Sequence, residues 1–322
     1  MRIKRYIKKC IIVLAVFMTA GIAGCDVLHD DLGQCDLFLR FRYDYNMANE
    51  DWFTEQVEEV KVFVFDAKGR YLQTLAESGD ALKKPGYRMP VPYRLKGCTA
   101  IVWAGKTDKF YSLPVMAEGD PVDKLTLKYE PENNISSNHL DALWHSGPLQ
   151  MFSPEGISNT ETVSLLRNTN DITLSITRGD GLTDISKYDI KLVGANGSYN
   201  HKNNFGYINK DIIYYPCSEE NDAKIPFKAQ LHTLRFVKGS NMSFSITEKS
   251  SGKSIDIGGQ AVINLIDYLL KSKPDTMGEQ EYLDRRYQWD INIRIGDKEE
   301  NGYIALCITI NNWTYWFQPT DI

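Results

Sequence analysis

The chain has 322 residues, 37 basic and 42 acidic, for a net charge of −5, and 43% of its residues are hydrophobic. The acid-leaning balance argues against a nucleic-acid-binding surface and against a purely electrostatic hold on anionic lipid. The length suggests two domains, and the apolar content can fill two cores.

Residues 1–24 hold five basic side chains (Arg2, Lys4, Arg5, Lys8, Lys9), no acidic one, and an apolar run from Cys10 to Ile22. A charged start, a short apolar core and small residues at the end define a secretory signal peptide. The run is too short to span a bilayer, which takes about 20 residues. Its last residues, Ile22-Ala23-Gly24-Cys25, resemble the bacterial lipobox. Cys25 is therefore the expected lipidation site and the first residue of the mature chain. Each buried acyl methylene contributes about 0.8 kcal/mol, and two or more chains anchor stably. Without the signal, 32 basic residues face 42 acidic ones, so the acyl chains must supply the membrane affinity.

Residues 25–35 form a polar leader, and Asp30-Asp31 resembles the signals that export Bacteroidetes lipoproteins to the cell surface. In Asp36–Asn46, Leu37, Leu39, Phe41, Tyr43 and Tyr45 alternate with polar positions, the pattern of a half-buried strand. Arg40 and Arg42 fall inside it, where a protease that needs exposed extended chain is excluded. Trp52–Val60 predicts a short helix with Phe53, Val57 and Val60 on one side. Val60–Leu72 predicts a hairpin turning at Ala67-Lys68-Gly69. Cys98–Gly105 is apolar almost throughout and suits a strand buried on both faces, and Leu125–Tyr129 is a further strand. Residues 130–160, rich in Pro, Asn, Ser and Gly, are expected as a linker.

The expected domains are 36–160 and 161–322. In the second, Val163–Asp180 predicts two strands around a polar turn at Asn168–Asp171. Tyr188–Tyr199 predicts a strand and an Asn-Gly turn, and Leu231–Glu248 a hairpin joined by Lys238–Asn241. Ala261–Ser272 predicts a strand running into a helical turn. A final strand pair flanks Gly296–Gly302. No helical periodicity persists beyond about ten residues, so the fold class is all-β, two tandem β-sandwiches.

Catalytic patterns are missing. Ala104-Gly105-Lys106-Thr107 follows a strand as a phosphate loop would, but Ala100 stands where that loop needs glycine. His29, His139, His145, His201 and His232 lack metal-ligand spacing, and no G-x-S-x-G occurs. The pairs Glu58-Glu59, Glu219-Glu220 and Glu299-Glu300 are adjacent, so on strands they point to opposite faces. No enzyme, metal or cofactor is expected. Cys35, Cys98, Cys217 and Cys307 permit three disulfide pairings, and buried free thiols are an equal alternative. Trp144, Trp289, Trp313 and Trp316 form either a glycan-binding platform or sandwich core, and the core is favoured. Asp275-Thr276-Met277 looks like a Bacteroidetes O-glycosylation acceptor.

Cys25, Cys35, the aromatic strand Leu39–Asn46, Asp51–Val57 and the hairpin Val60–Gly69 occur in an order that resembles the FimB-type (FimB/Mfa-like) fimbrial subunit family of Bacteroidales. Leu165–Ile176, Tyr282–Trp289 and Ile310–Trp313 continue the likeness. Ile310-Asn311-Asn312-Trp313 departs from it, since family members more often have Gly before Trp. The resemblance implies two transthyretin-like β-sandwich domains in an outer-membrane, surface-exposed lipoprotein at the base of a pilus. It implies fimbrial subunits as partners, held by β-strand complementation, and membrane lipid held through acylated Cys25. The alternative is a glycan-binding surface lipoprotein or tip adhesin.

Overall fold

The computed structural model describes residues 36–152, 158–206, 210–217, 227–298 and 302–318. The first strands are β1 (Leu37–Arg42), β2 (Glu59–Phe65), β3 (Tyr71–Ser78), β4 (Met89–Val91) and β5 (Thr99–Ala104). Short β6 (Leu127–Lys128) and β7 (Ile135–Ser136) precede β8 (Trp144–Gln150), β9 (Thr160–Ser164) and β10 (Leu166–Arg167). Then come β11 (Thr169–Arg178), β12 (Gly181–Leu182), β13 (Tyr188–Gly194), β14 (Ser198–Tyr199), β15 (Ile212–Tyr214) and β16 (Ala229–Leu234). The last are β17 (Met242–Glu248), β18 (Ile263–Asn264), β19 (Gln288–Lys298), β20 (Gly302–Ile310) and β21 (Trp313–Trp316). Among the described residues three short α-helices interrupt them: α1 (Phe53–Gln56), α2 (Leu265–Lys271) and α3 (Glu279–Arg285).

Two sandwiches result. In the first, the sheet β4-β1-β9 faces the sheet β10-β8-β5-β2-β3. Leu37, Leu39 and Phe41 meet Val60, Val62, Val64 and Val102 between them. In the second, β12-β11-β19-β20-β21, with β16 also on β11, faces β18-β17-β13-β15-β7. Its larger core holds Ile172, Leu174 and Ile176 against Ile190, Leu192, Phe244 and Ile246. Phe63, Phe65, Ile101 and Trp103, on the other face of β2 and β5, join this larger core. Both faces of β5 are thus covered, which explains its unbroken apolar sequence.

Strand pairing crosses the region around Thr160 in both directions. β9 and β10 complete the first sandwich, while β6 pairs with β14 and β7 with β15 of the second.

Several local expectations change. Residues 130–160 are more than a linker, since β8 lies between β5 and β10. Its Gly147 and Pro148 hide it from a propensity reading, and the β5–β8 ladder shifts register between Ala100 and Val102. Asn168–Asp171 is extended chain. Asn168 and Asn170 are buried there, with side chains bonded to Asn203 and to the Leu234 carbonyl. Residues 231–248 form an arch between layers and no hairpin, because β16 joins β11 whereas β17 joins β13. Two strands and a Gly turn fit either arrangement locally. Helix α1 stops early, as Val57 turns to the extended conformation at φ −98°, ψ 119°. The hairpin of β2 and β3 forms as expected. Gly69 takes φ +72° and the Asp66 carboxylate accepts from the main chain of Lys68 and Arg70. At the last turn Asn311, one residue before the position where the resembled family more often has glycine, adopts φ +52°, a conformation Asn tolerates better than most residues.

Candidate functional site

The segment nearest the expected lipid attachment is β1, the first described strand. It is the middle strand of its sheet. Leu37–Leu39 pair antiparallel with β4, and Phe38–Arg42 pair in parallel with Thr160–Ser164. Leu37, Leu39 and Phe41 are buried, and each such side chain contributes about 2 kcal/mol. Arg40 points to solvent while its backbone lies in the β9 ladder opposite Thr162, just past the end of the β4 pairing. Arg42 pairs with Asp44 at 3.1 Å and with Asp51 at 3.3 Å.

The chain leaving β1 is bolted down by polar contacts. Asp51 accepts from the Tyr43 amide at 2.9 Å and the Phe53 amide at 3.2 Å. The Asn46 side chain donates to the carbonyls of Tyr43 and Glu50. Arg285 of α3 donates to the Asn46 carbonyl and Asn49 Oδ1 and lies 4.2 Å from the Tyr45 ring centroid. This first segment is therefore fastened to both sandwiches. Sequence reading found the strand but missed the Arg285 contacts, since 239 residues separate Arg285 from Asn46.

β3 and β21 close their sheets, so each offers an outer edge. On β21, Trp313 and Tyr315 share a face, their rings 6.0 Å apart and nearly parallel, and Lys271 sits 4.5 Å from the Tyr315 centroid. Thr314 and Trp316 point the other way, and Trp316 is 56% exposed.

The four tryptophans do not form one platform. Trp144 and Trp289 are buried, the first against Tyr43 and the second bonded to Asn170. Trp313 and Trp316 lie on opposite faces of one strand. The phosphate-loop lookalike has a structural explanation. Gly105, at φ +97°, passes so close to Ala142 that a Cβ would stand 2.2 Å from its carbonyl oxygen. Lys106 pairs with Glu58, and buried Thr107 accepts from Lys61. Glu59 pairs instead with Lys61. Glu219-Glu220 and Glu299-Glu300 lie outside the described residues.

The histidines separate. His145 is buried against Trp103, with ring centroids 4.4 Å apart. Burial, and secondarily the Arg235 charge, pull its pKa down to about 3. His139 lies 3.9 Å from the His232 ring centroid, and His232 Nδ1 is 2.8 Å from Asp171 Oδ1. Among the described residues no group of three or more His, Cys, Asp or Glu side chains is arranged to hold a metal ion. Cys98, Cys217 and Cys307 are free thiols, whereas His29, Cys25 and Cys35 lie outside the described residues. Thr276 is exposed in the turn between α2 and α3. No helix among the described residues is long and apolar enough to cross a membrane.

The profile of a family described as "Fimbrillin-A associated anchor proteins Mfa1 and Mfa2" matches residues 32–319. The minor fimbrium anchoring subunit Mfa2 of Porphyromonas gingivalis is 24% identical over 332 residues, covering 95% of each chain. The crystal structure of a DUF1812 protein from Bacteroides thetaiotaomicron superposes with a TM-score of 0.77 at 28% identity, covering 89% of this chain and 100% of that one. The fimbrial anchor protein Mfa2 from Porphyromonas gingivalis superposes with a TM-score of 0.68 at 18% identity, covering 88% and 99%.

Proposed function

This chain belongs to the family of fimbrillin-A associated anchor proteins Mfa1 and Mfa2, and from that membership we propose that it tethers a fimbria to the outer surface of the cell. It is a fimbrial anchoring subunit, associated with other fimbrial subunits. In our reading Cys25 carries the acyl chains, and residues 26–35 lead from the bilayer to the body. Ten residues reach at most about 35 Å, so the sandwiches lie close to the membrane surface.

The observation that carries the reading is the position of β1. A tether must pass tension from its lipid to a folded body, and the first strand after the leader is locked between β4 and β9 with three buried side chains. Tension along β1 acts across whole ladders at once. The same pairing would spare the chain at Arg40 and Arg42 from a protease that needs exposed extended chain. Partner subunits would add a strand to an open edge, and the outer edge of β21 with exposed Trp316 suits such pairing. Buried Trp144 and Trp289 weaken the glycan-binding alternative.

The test is Cys25→Ala in fimbriated cells, with labelled palmitate and fractionation. The tether reading requires loss of label and release of intact fimbriae into the medium. Fimbriae that stay on the cell with unlabelled protein would overturn it. Trp316→Lys, which puts a charge on the edge strand, tests the docking edge. It should leave the protein on the membrane while fimbriae are lost, and undiminished fimbriae would exclude β21.

A further inference from the structure

A cavity of about 500 Å³ opens at one end of the larger sheet, lined by residues from β11, β16, β19 and the β20–β21 turn. Three of its side chains carry buried nitrogen atoms without a hydrogen-bond partner in the protein: His232 Nε2, Arg286 Nε and Asn311 Nδ2. Buried donors left unmatched cost about 1–3 kcal/mol each. Three such donors on one cavity call for a hydrogen-bonding occupant, either water or a ligand.

Each is held in place by its other contacts. His232 is 6% exposed, and its Nδ1 is fixed on Asp171, which Arg167 also holds at 3.0 Å. Asn311 accepts through Oδ1 from the Asp290 amide at 3.1 Å, which turns its amide nitrogen away. The Arg286 guanidinium rests over the rings of Tyr282 and Trp289, at 5.4 and 5.8 Å, and forms no ion pair among the described residues. Burial works against a charged His232, but the Asp171 carboxylate and the neighbouring Cys217 thiol outweigh it and push the pKa up to about 9. At neutral pH the ring is an imidazolium, its Nδ1–H held on Asp171 and its charge also favoured by the Cys217 sulfur.

We propose that this cavity binds a carboxylate, presented by an acidic side chain of a partner peptide. The charged groups facing His232 here are Lys228 and Arg286 on the positive side and Asp171 and Asp290 on the negative side, with His139 stacked on the ring. With the His232 imidazolium itself, three cations line the cavity against two anions, and Arg167 further offsets Asp171, so the cavity attracts an anion. An acidic sugar is disfavoured because Trp289, the aromatic wall, is 1% exposed and offers no ring face to stack on. Charge-assisted bonds from a guanidinium and an imidazolium are the strongest available to a carboxylate. The proposal names the chemistry of a partner contact and in that respect rests on the anchoring reading. The binding itself does not depend on fimbriae.

The experiment is a heteronuclear NMR titration of the full chain in detergent with N-acetyl-glutamate amide, its neutral glutamine isostere, glucuronate and inorganic phosphate. Saturable shifts at His232, Arg286 and Asn311 are expected for the glutamate compound, with affinity about tenfold above that of the glutamine isostere. Arg286→Gln and Asn311→Asp should each weaken it about tenfold or more while amide dispersion stays native. Two variants on different elements keep the test sound if one of them misfolds. Equal binding of the glutamine isostere, tighter binding of phosphate or glucuronate, or no saturable shift would overturn the proposal. Such a failure leaves the Cys25→Ala experiment untouched, so the two readings fall separately.

Discussion

Phe41 of β1 stands opposite Val163 of β9 in a parallel register, and both side chains are buried in the smaller core. Phe41 also stacks on Phe53, with centroids 5.6 Å apart. Cutting the chain after Arg40 or Arg42 therefore requires this pairing to open first. Phe41→Ala should cost about 3–5 kcal/mol and speed tryptic cleavage at these arginines by about a hundredfold or more, since cleavage follows the open population. Urea denaturation and timed trypsinolysis measure both effects. Wild-type protein cut at Arg40 as fast as unfolded chain would mean that β1 does not lock the tether.

Gly105 makes a second test. Its φ of +97° and the 2.2 Å approach of a Cβ to the Ala142 carbonyl act together. Gly105→Ala should destabilise by about 2 kcal/mol or more, since the conformation alone costs at least about 1 kcal/mol. The reading is a lowered melting temperature. An unchanged value would mean that the β5 exit relaxes freely.

Arg235 grips Asp284 through Nε and Nη2, both at 2.8 Å, and its Nη1 donates to the Asn203 carbonyl. Both side chains are largely buried, at 13% and 7% exposure. Asp284→Ala leaves the guanidinium without its counter-charge and should cost about 3–5 kcal/mol. A double variant Arg235→Met, Asp284→Leu should recover much of that loss. If the double variant is as unstable as the single one, the pair itself, and not the stranded charge, sets the cost.

His145 gives a pH signature. Its folded pKa is depressed to about 3 by burial first and by Arg235 second, whereas an unfolded histidine titrates near 6.5. Below about pH 6.5 the unfolded chain binds a proton that the folded chain refuses, so stability falls as pH drops toward 3. The slope reaches at most about 1.4 kcal/mol per pH unit. His145→Gln should flatten that part of the curve between about pH 6 and pH 4 in urea titrations. An identical slope in the variant would show that other groups carry the acid sensitivity.

The legible parts of this sequence are those whose signal is local. Leu37, Leu39 and Phe41 alternate, and β1 is a half-buried strand. The unbroken apolar run of β5 is covered on both faces. Gly69 ends a hairpin where the turn chemistry points. The illegible parts depend on distant partners. β8 carries Gly147 and Pro148 yet is held by β5 and β10. Asn168 and Asn170 look like turn residues, and the chain is extended there because Asn203 and the Leu234 carbonyl complete their hydrogen bonds. The cavity at His232 joins residues from His139 to Asn311, a set that no spacing rule connects.

By itself, then, the sequence determined the strand-rich class, the hydrophobic alternation that buries one face of β1, and the motif at Cys25 on which the tether reading rests. These depend on side-chain period and on chemistry within a few neighbouring residues. The tertiary structure alone decided which strands pair, that β16 and β17 enter different layers, and that Arg286, His232 and Asn311 face one cavity. A strand's edge hydrogen bonds are alike along its length, so partners are selected by long-range packing, and packing exists only once the chain has folded.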